Sequence, residues 1–213
     1  MHIYSSPNCG PRRGGLTPSM VVIHYTAMGS AEAAIARLCE PEAEVSAHYV
    51  ISCDGELTQL VPEEKRAWHA GAGEWRGLTD INSRSIGIEL DNTGAHPFPE
   101  PQMSVLETLL SEIMSRWPIA ARDVIGHSDM APGRKFDPGP RFDWARLARR
   151  GLAAPSGQGE RPDHPTPAQF RAMARSNGYT AEVGDEALLA AVRLRHRSYA
   201  SGGLNADDFV PIG

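Results

Sequence analysis

Two six-residue runs constrain this chain more than anything else in it: VVIHYT (21–26) and SIGIEL (85–90). Both are short, apolar and rich in β-branched residues, the pattern of a buried strand. Each also carries one imidazole or carboxylate, His24 in the first and Glu89 in the second. A polar group at such a position is costly to bury unless it is paired or ligated. The two-residue period puts Ile86, Ile88 and Leu90 on one face, and Gly87, Glu89 and Asp91 on the other. His24 lies opposite Ile23 and Tyr25 by the same rule.

The remaining elements are placed around these strands. Residues 1–20 are rich in Pro, Gly and Ser and read as an irregular segment. GSAEAAIARLC reads as a short helix with Ser30 as N-cap and Ile35 and Leu38 on one side. AHYVIS (47–52) and ELTQLV (56–61), separated by Asp54-Gly55, read as a hairpin. Pro101 opens a helix in which Val105, Leu106, Leu109, Leu110, Ile113, Met114 and Trp117 recur at three- and four-residue steps, and Pro118 ends it. A short strand starts the stretch 121–140, a Gly/Pro-rich loop follows, and a short helix covers 143–150. Residues 151–167 have linker composition. Three short helical patterns follow, at 168–177, at 185–199 and from 206 onward; in the middle one Leu188, Ala191, Val192 and Arg195 continue one stripe. So short a piece makes a poor independent core, and it is expected to lean on what precedes it.

Composition excludes several classes. Over 213 residues, Lys plus Arg is 21 and Asp plus Glu is 26, a net charge of −5. That argues against a nucleic-acid binder working through a broad basic face. No apolar stretch is long enough for a membrane-spanning helix. Cys9, Cys39 and Cys53 are odd in number and none sits at metal-ligand spacing; free thiols point to a reducing compartment. No basic start followed by an apolar run precedes the first strand. A cytoplasmic location is therefore expected. The alternative, a leader removed before this numbering, would give a periplasmic or lipid-anchored protein.

The chemistry gathers in three places: His24, Glu89, and the loop GHSDMAPGRKFDPG (126–139), which holds His127, Lys135 and Asp137. Two His and one Asp with a nearby Glu suit a zinc hydrolase, in which three protein ligands leave one position for water and the Glu takes its proton. The common zincin motif HExxH is absent. On spacing alone His24 could be a satisfied core histidine and Asp137 a turn residue.

Five separated motifs, VVIHYTAM, VSAHYVI, RAWHAG, INSRSIGIELDN and IGHSDMAPGRKFDPG, occur in that order. Together they resemble the zinc N-acetylmuramoyl-L-alanine amidases of the AmpD/AmiD type, relatives of phage amidases and peptidoglycan recognition proteins. The resemblance covers about residues 3–150. It implies an α/β fold, a mixed central sheet flanked by helices. It also implies a zinc amidase catalytic domain at 1–150, a linker at 151–167, and at 168–213 a small helical extension similar to a degenerate peptidoglycan-binding domain. The implied zinc ligands are His24, His127 and Asp137. The implied catalytic residues are Glu89 and Lys135, the latter stabilising an oxyanion. Trp68, His69, Asn82 and Arg84 are candidates for the substrate pocket, and Asp129 is expected to pair with a cation in its loop. The implied reaction is hydrolysis of the amide between N-acetylmuramic acid, or its 1,6-anhydro form, and L-alanine of the stem peptide, in cell-wall recycling. The alternatives are a recognition module that does not cleave and a lytic amidase acting on intact wall.

Overall fold

The computed structural model describes residues 1–157 and 159–212. Gln158, in the expected linker, and Gly213, the end of the expected extension, lie outside the described residues. In chain order the elements are β1 (His2–Ile3), β2 (Cys9–Pro11), β3 (Met20–Tyr25), α1 (Ala31–Cys39), β4 (Tyr49–Ile51), β5 (Leu57–Gln59), β6 (Lys65–Ala67), α2 (Ile81–Arg84), β7 (Ser85–Leu90), α3 (Glu100–Arg116), β8 (Val124–Gly126), α4 (His127–Met130), α5 (Trp144–Arg149), α6 (Pro167–Ser176) and α7 (Asp185–His196).

Six strands form one mixed sheet in the order β1-β5-β4-β7-β3-β8. β3 lies next to the edge, parallel to β7 on one side and to the edge strand β8 on the other. β4 runs parallel to β7, and β4 and β5 pair antiparallel as the expected hairpin, joined by residues 52–56. This is the mixed α/β architecture the sequence led us to expect. Two findings differ. The N-terminal segment contributes β1 and β2, which pair with β5 and β6. Such two- and three-residue strands are defined by their partners rather than by any pattern of their own. From Ala206 onward the chain forms two short 3₁₀ turns instead of a helix.

Two large apolar cores sandwich the sheet, and a third, smaller cluster packs Ala31 and Leu38 of α1 on Val50 of β4. On one face Val21, Ile23, Ile86, Ile88 and Leu90 pack against Leu106, Leu109, Leu110 and Ile113 of α3. The helix is amphipathic because these residues recur at helical spacing, and each large apolar side chain buried there stabilises the fold by about 1.5–3 kcal/mol. On the opposite face Met20 and Val22 pack against Phe170, Ala174, Tyr179, Leu188 and Val192. The C-terminal helices therefore complete a core that begins on β3. α6 starts on a capping box, Thr166 with Gln169, which satisfies backbone N–H groups that a helix leaves free. Leu152 and Ala153, within 151–167, are buried in the first core. Among the described residues, no helix is long and apolar enough to cross a membrane.

Candidate metal centre

Parallel pairing places His24 of β3 directly beside Glu89 of β7. Their side chains leave the same face at the C-terminal end of the strands, where open α/β sheets hold their ligands. β8 ends at Gly126, so the next residue, His127, emerges at the same edge as the first residue of α4. The loop after α4 returns Asp137 to the same point, its backbone held by the Ser128 N–H donating to the Asp137 carbonyl at 3.0 Å.

Three atoms converge there. His24 Nδ1 lies 2.9 Å from His127 Nδ1 and 2.9 Å from Asp137 Oδ2, and His127 Nδ1 lies 3.1 Å from Asp137 Oδ2. All three residues are nine-tenths or more buried. Among the described residues they form the one group of three or more His, Cys, Asp or Glu side chains so arranged.

The surrounding hydrogen bonds fix where the protons are. His127 Nε2 faces the Ala70 carbonyl at 2.8 Å, so Nε2 carries the hydrogen and the neutral ring has a bare Nδ1. The second chain starts at Ser85, whose hydroxyl donates to the Ile81 carbonyl at 2.7 Å. Ser85 Oγ then accepts from His69 Nε2 at 3.1 Å, and His69 Nδ1 accepts from His24 Nε2 at 2.9 Å. His24 is thereby left with a bare Nδ1 as well. Burial, reinforced by the neighbouring His127, pushes the His24 pKa down to about 4, so the ring is neutral at pH 7. Burial and then His24 push His69 well below its ordinary value. Two imidazole lone pairs and a carboxylate oxygen thus point at one another with no donor among them. A cation resolves that arrangement, and a two-nitrogen, one-oxygen donor set suits zinc. The outer hydrogen bonds are of the kind that orient metal-binding histidines.

Glu89 adds a second unresolved polar atom: its Oε2 is buried with no hydrogen-bond partner. Burial, then repulsion from Asp137, raises its pKa to about 8, with Lys135 opposing the rise. Glu89, Lys135, Trp68 and His69 line one cavity of about 400 Å³ with His24, His127 and Asp137. His69 packs on the β7 backbone where only glycine fits, since a Cβ on Gly87 would sit 2.5 Å from its ring. A larger cavity, about 580 Å³, lies among the C-terminal helices; it holds no comparable cluster, so chemistry rather than size marks the site.

Two expected pocket residues lie elsewhere. Asn82 Oδ1 accepts the backbone N–H groups of His69 at 3.0 Å and Ala70 at 2.8 Å, which shapes the segment behind His24 and His127. Arg84 Nε donates to the Thr79 carbonyl at 3.0 Å, and neither side chain lines the cavity. His48 is fully buried, its Nδ1 accepting the Gly87 N–H at 2.9 Å. The cation paired with Asp129 is Arg195 of α7, not a residue of its own loop. Sequence reasoning missed Arg134, which donates to the Ala70 carbonyl at 2.8 Å, and Phe136, 57% exposed at the cavity mouth. Both stand in the run Arg134-Lys135-Phe136-Asp137, and position next to the implied catalytic pair was the only signal.

Comparison with known proteins agrees with this geometry. Residues 14–140 match the family described as N-acetylmuramoyl-L-alanine amidase. The amidase AmiD of Escherichia coli is 40% identical over 151 residues, 63% of this chain; the match spans only 54% of AmiD's own length. The 1,6-anhydro-N-acetylmuramyl-L-alanine amidase AmpD of Citrobacter freundii is 37% identical over 172 residues, 73% of this chain and 91% of that one. Among solved structures, AmiD of E. coli bound to anhydro-N-acetylmuramic acid-L-Ala-D-gamma-Glu-L-Lys superposes with a TM-score of 0.81 at 30% identity, covering 92% of this chain and 88% of that one. AmpDh3 of Pseudomonas aeruginosa gives a TM-score of 0.84 at 30% identity, covering 92% and 89%.

Proposed function

Since the chain belongs to the N-acetylmuramoyl-L-alanine amidase family, we propose that it hydrolyses the amide joining the lactyl group of N-acetylmuramic acid, or its 1,6-anhydro form, to L-alanine of a muropeptide stem. His24, His127 and Asp137 would hold zinc. The observation that carries this reading is the set of three lone pairs pointing at one another beside the unpartnered Glu89 Oε2. When bound, zinc supplies Lewis acidity: it lowers the pKa of a water toward about 7, polarises the scissile carbonyl and favours the ionised form of Glu89.

The chain's own residues do the rest. Glu89 takes a proton from the water as its oxygen bonds to the lactyl carbonyl carbon. The Lys135 ammonium faces the negative charge that then develops on the carbonyl oxygen. As the carbon–nitrogen bond breaks, Glu89 returns its proton to the departing alanine nitrogen, leaving a lactyl carboxylate and a free stem peptide. His69 keeps the His24 ring turned toward the centre. Trp68 and Phe136, with Met28 and Leu38 of the same cavity, offer apolar surface to the substrate.

The complete ligand and acid–base set supports catalysis over recognition without cleavage. We take residues 1–150 as the catalytic unit, 151–167 as its linker and 168–213 as an extension that completes the second core. The three free thiols, Cys9, Cys39 and Cys53, support a reducing cytoplasm, where soluble muropeptides released during wall recycling would be the substrate.

Mass spectrometry of the protein incubated with a 1,6-anhydro-muropeptide tests the reading. Release of free stem peptide is expected, abolished by a chelator and restored by zinc. An intact muropeptide in the presence of zinc would overturn it.

A further inference from the structure

α4 is a single turn of four residues, and its first residue is His127. A turn this short does not hold itself together. What braces it is Asp129, whose Oδ2 accepts the Gly126 N–H at 2.8 Å and so closes the turn on the residue before His127. Two further donors reach Asp129, and both come from beyond residue 150. Arg195 of α7 donates from Nη1 to Oδ2 at 2.6 Å, and Tyr179 donates its hydroxyl to Oδ1 at 2.9 Å. Arg195 is itself fixed: its guanidinium lies 3.9 Å from the centre of the Trp144 ring, and Nη2 donates to the Val124 carbonyl of β8 at 3.3 Å.

Side-chain exposure is 5% for Arg195 and 1% for Asp129. Removing both charges from water costs about as much as their attraction returns, so a pair this deep contributes little net stability. Its geometric effect is large. It fixes the carboxylate that fixes the turn, and the turn sets the direction of the His127 ring, with Nε2–H on the Ala70 carbonyl and Nδ1 toward His24 and Asp137.

We infer that Arg195 and Tyr179 are positioning residues of the metal centre, acting through Asp129 to hold His127 in its ligating orientation, so that the C-terminal helices are part of the metal site. This inference rests on the reading of His127 as a metal ligand.

The test is the zinc affinity of the full-length, metal-free chain, measured by competition with a chromophoric chelator, together with the visible spectrum of the cobalt-substituted protein. Outer partners of metal ligands typically contribute about 10–100-fold to affinity. Arg195→Met is expected to weaken zinc binding by about that factor and to alter the cobalt bands. Arg195→Lys should recover part of the loss, and Tyr179→Phe should lose a few-fold. In an Asp129→Asn background, adding Arg195→Met should change affinity little, because the path is already cut. A purely structural role would lower the melting temperature while leaving zinc affinity and the cobalt spectrum as in the wild type; that result overturns the inference, as do additive losses in the double variant. Should Arg195→Met fail to fold, Tyr179→Phe, which removes a single oxygen, carries the same test. A wild-type chain that binds no zinc would instead overturn the metal reading, and this inference with it.

Discussion

The two faces of the central sheet are made from alternate residues of the same strands, yet they are packed on different terms. Val21 and Ile23 of β3 and Ile86, Ile88 and Leu90 of β7 join one apolar cluster, chiefly with side chains of α3. One residue along, the same strands present Met20, Val22 and His24 on the other face, with Glu89 beside His24. The lower part of that face is an ordinary core closed by α6 and α7. The upper part is a cluster of polar groups that destabilise the fold until something ligates them. Apolar packing thus fills one face, while on the other it shares the surface with the chemistry, under a cover drawn in part from the far end of the chain.

Substitutions on the two faces should therefore separate. Glu89→Gln is expected to have the largest effect on turnover, about 10²–10⁴-fold lower kcat, with zinc still bound and the fold intact; near-normal kcat in a steady-state assay on muropeptide would remove Glu89 from the mechanism. Leu110→Ala, on α3 and fully buried, should do the reverse. Loss of its side chain costs about 2–5 kcal/mol of stability, read as a lower denaturation midpoint, while the folded fraction keeps its kcat. If both variants lost stability and turnover in proportion, the division between the faces would be wrong.

How much of this was legible in the sequence follows the same division. The apolar face could be read directly, because β3, β7 and α3 are long enough for period and β-branching to speak. The candidate metal ligands could be singled out because His24 interrupts an apolar strand and because five motifs agree in order, and the structure brings His24, His127 and Asp137 together. The lone-pair convergence could not, since its proton positions are set by two backbone carbonyls, those of Ala70 and Ile81. Asn82 and Arg84 looked like pocket residues because their motif adjoins the site, but their polar atoms serve backbone groups. Asp129 called for a cation, and nothing local could say that it would arrive from Arg195, 66 residues later. The strands β1, β2 and β6 were invisible because their residues, His-Ile, Cys-Gly-Pro and Lys-Arg-Ala, belong to no apolar or alternating run.

The smallest expected effect is also the one that isolates what the chemical face costs. In the metal-free protein, burial and Asp137 raise the Glu89 pKa from 4.5 to about 8, so the folded state prefers the protonated acid. The stability tied to that protonated form is fully present below about pH 4.5 and is lost as pH rises through about 8. Glutamine mimics the protonated acid at every pH. Thermal melts of chelated wild type and Glu89→Gln should therefore coincide near pH 4 and be fully separated above pH 8, with the variant the more stable. The apolar face predicts no such divergence: Leu110→Ala should stay below the wild type by a margin that does not change with pH. Zinc should shrink the Glu89→Gln difference, because a cation beside the carboxylate favours its ionised form. A Glu89→Gln difference that is flat with pH, or that favours the wild type at pH 8, would mean the carboxylate has partners in the folded state and is not the poised base that the unpaired Oε2 implies.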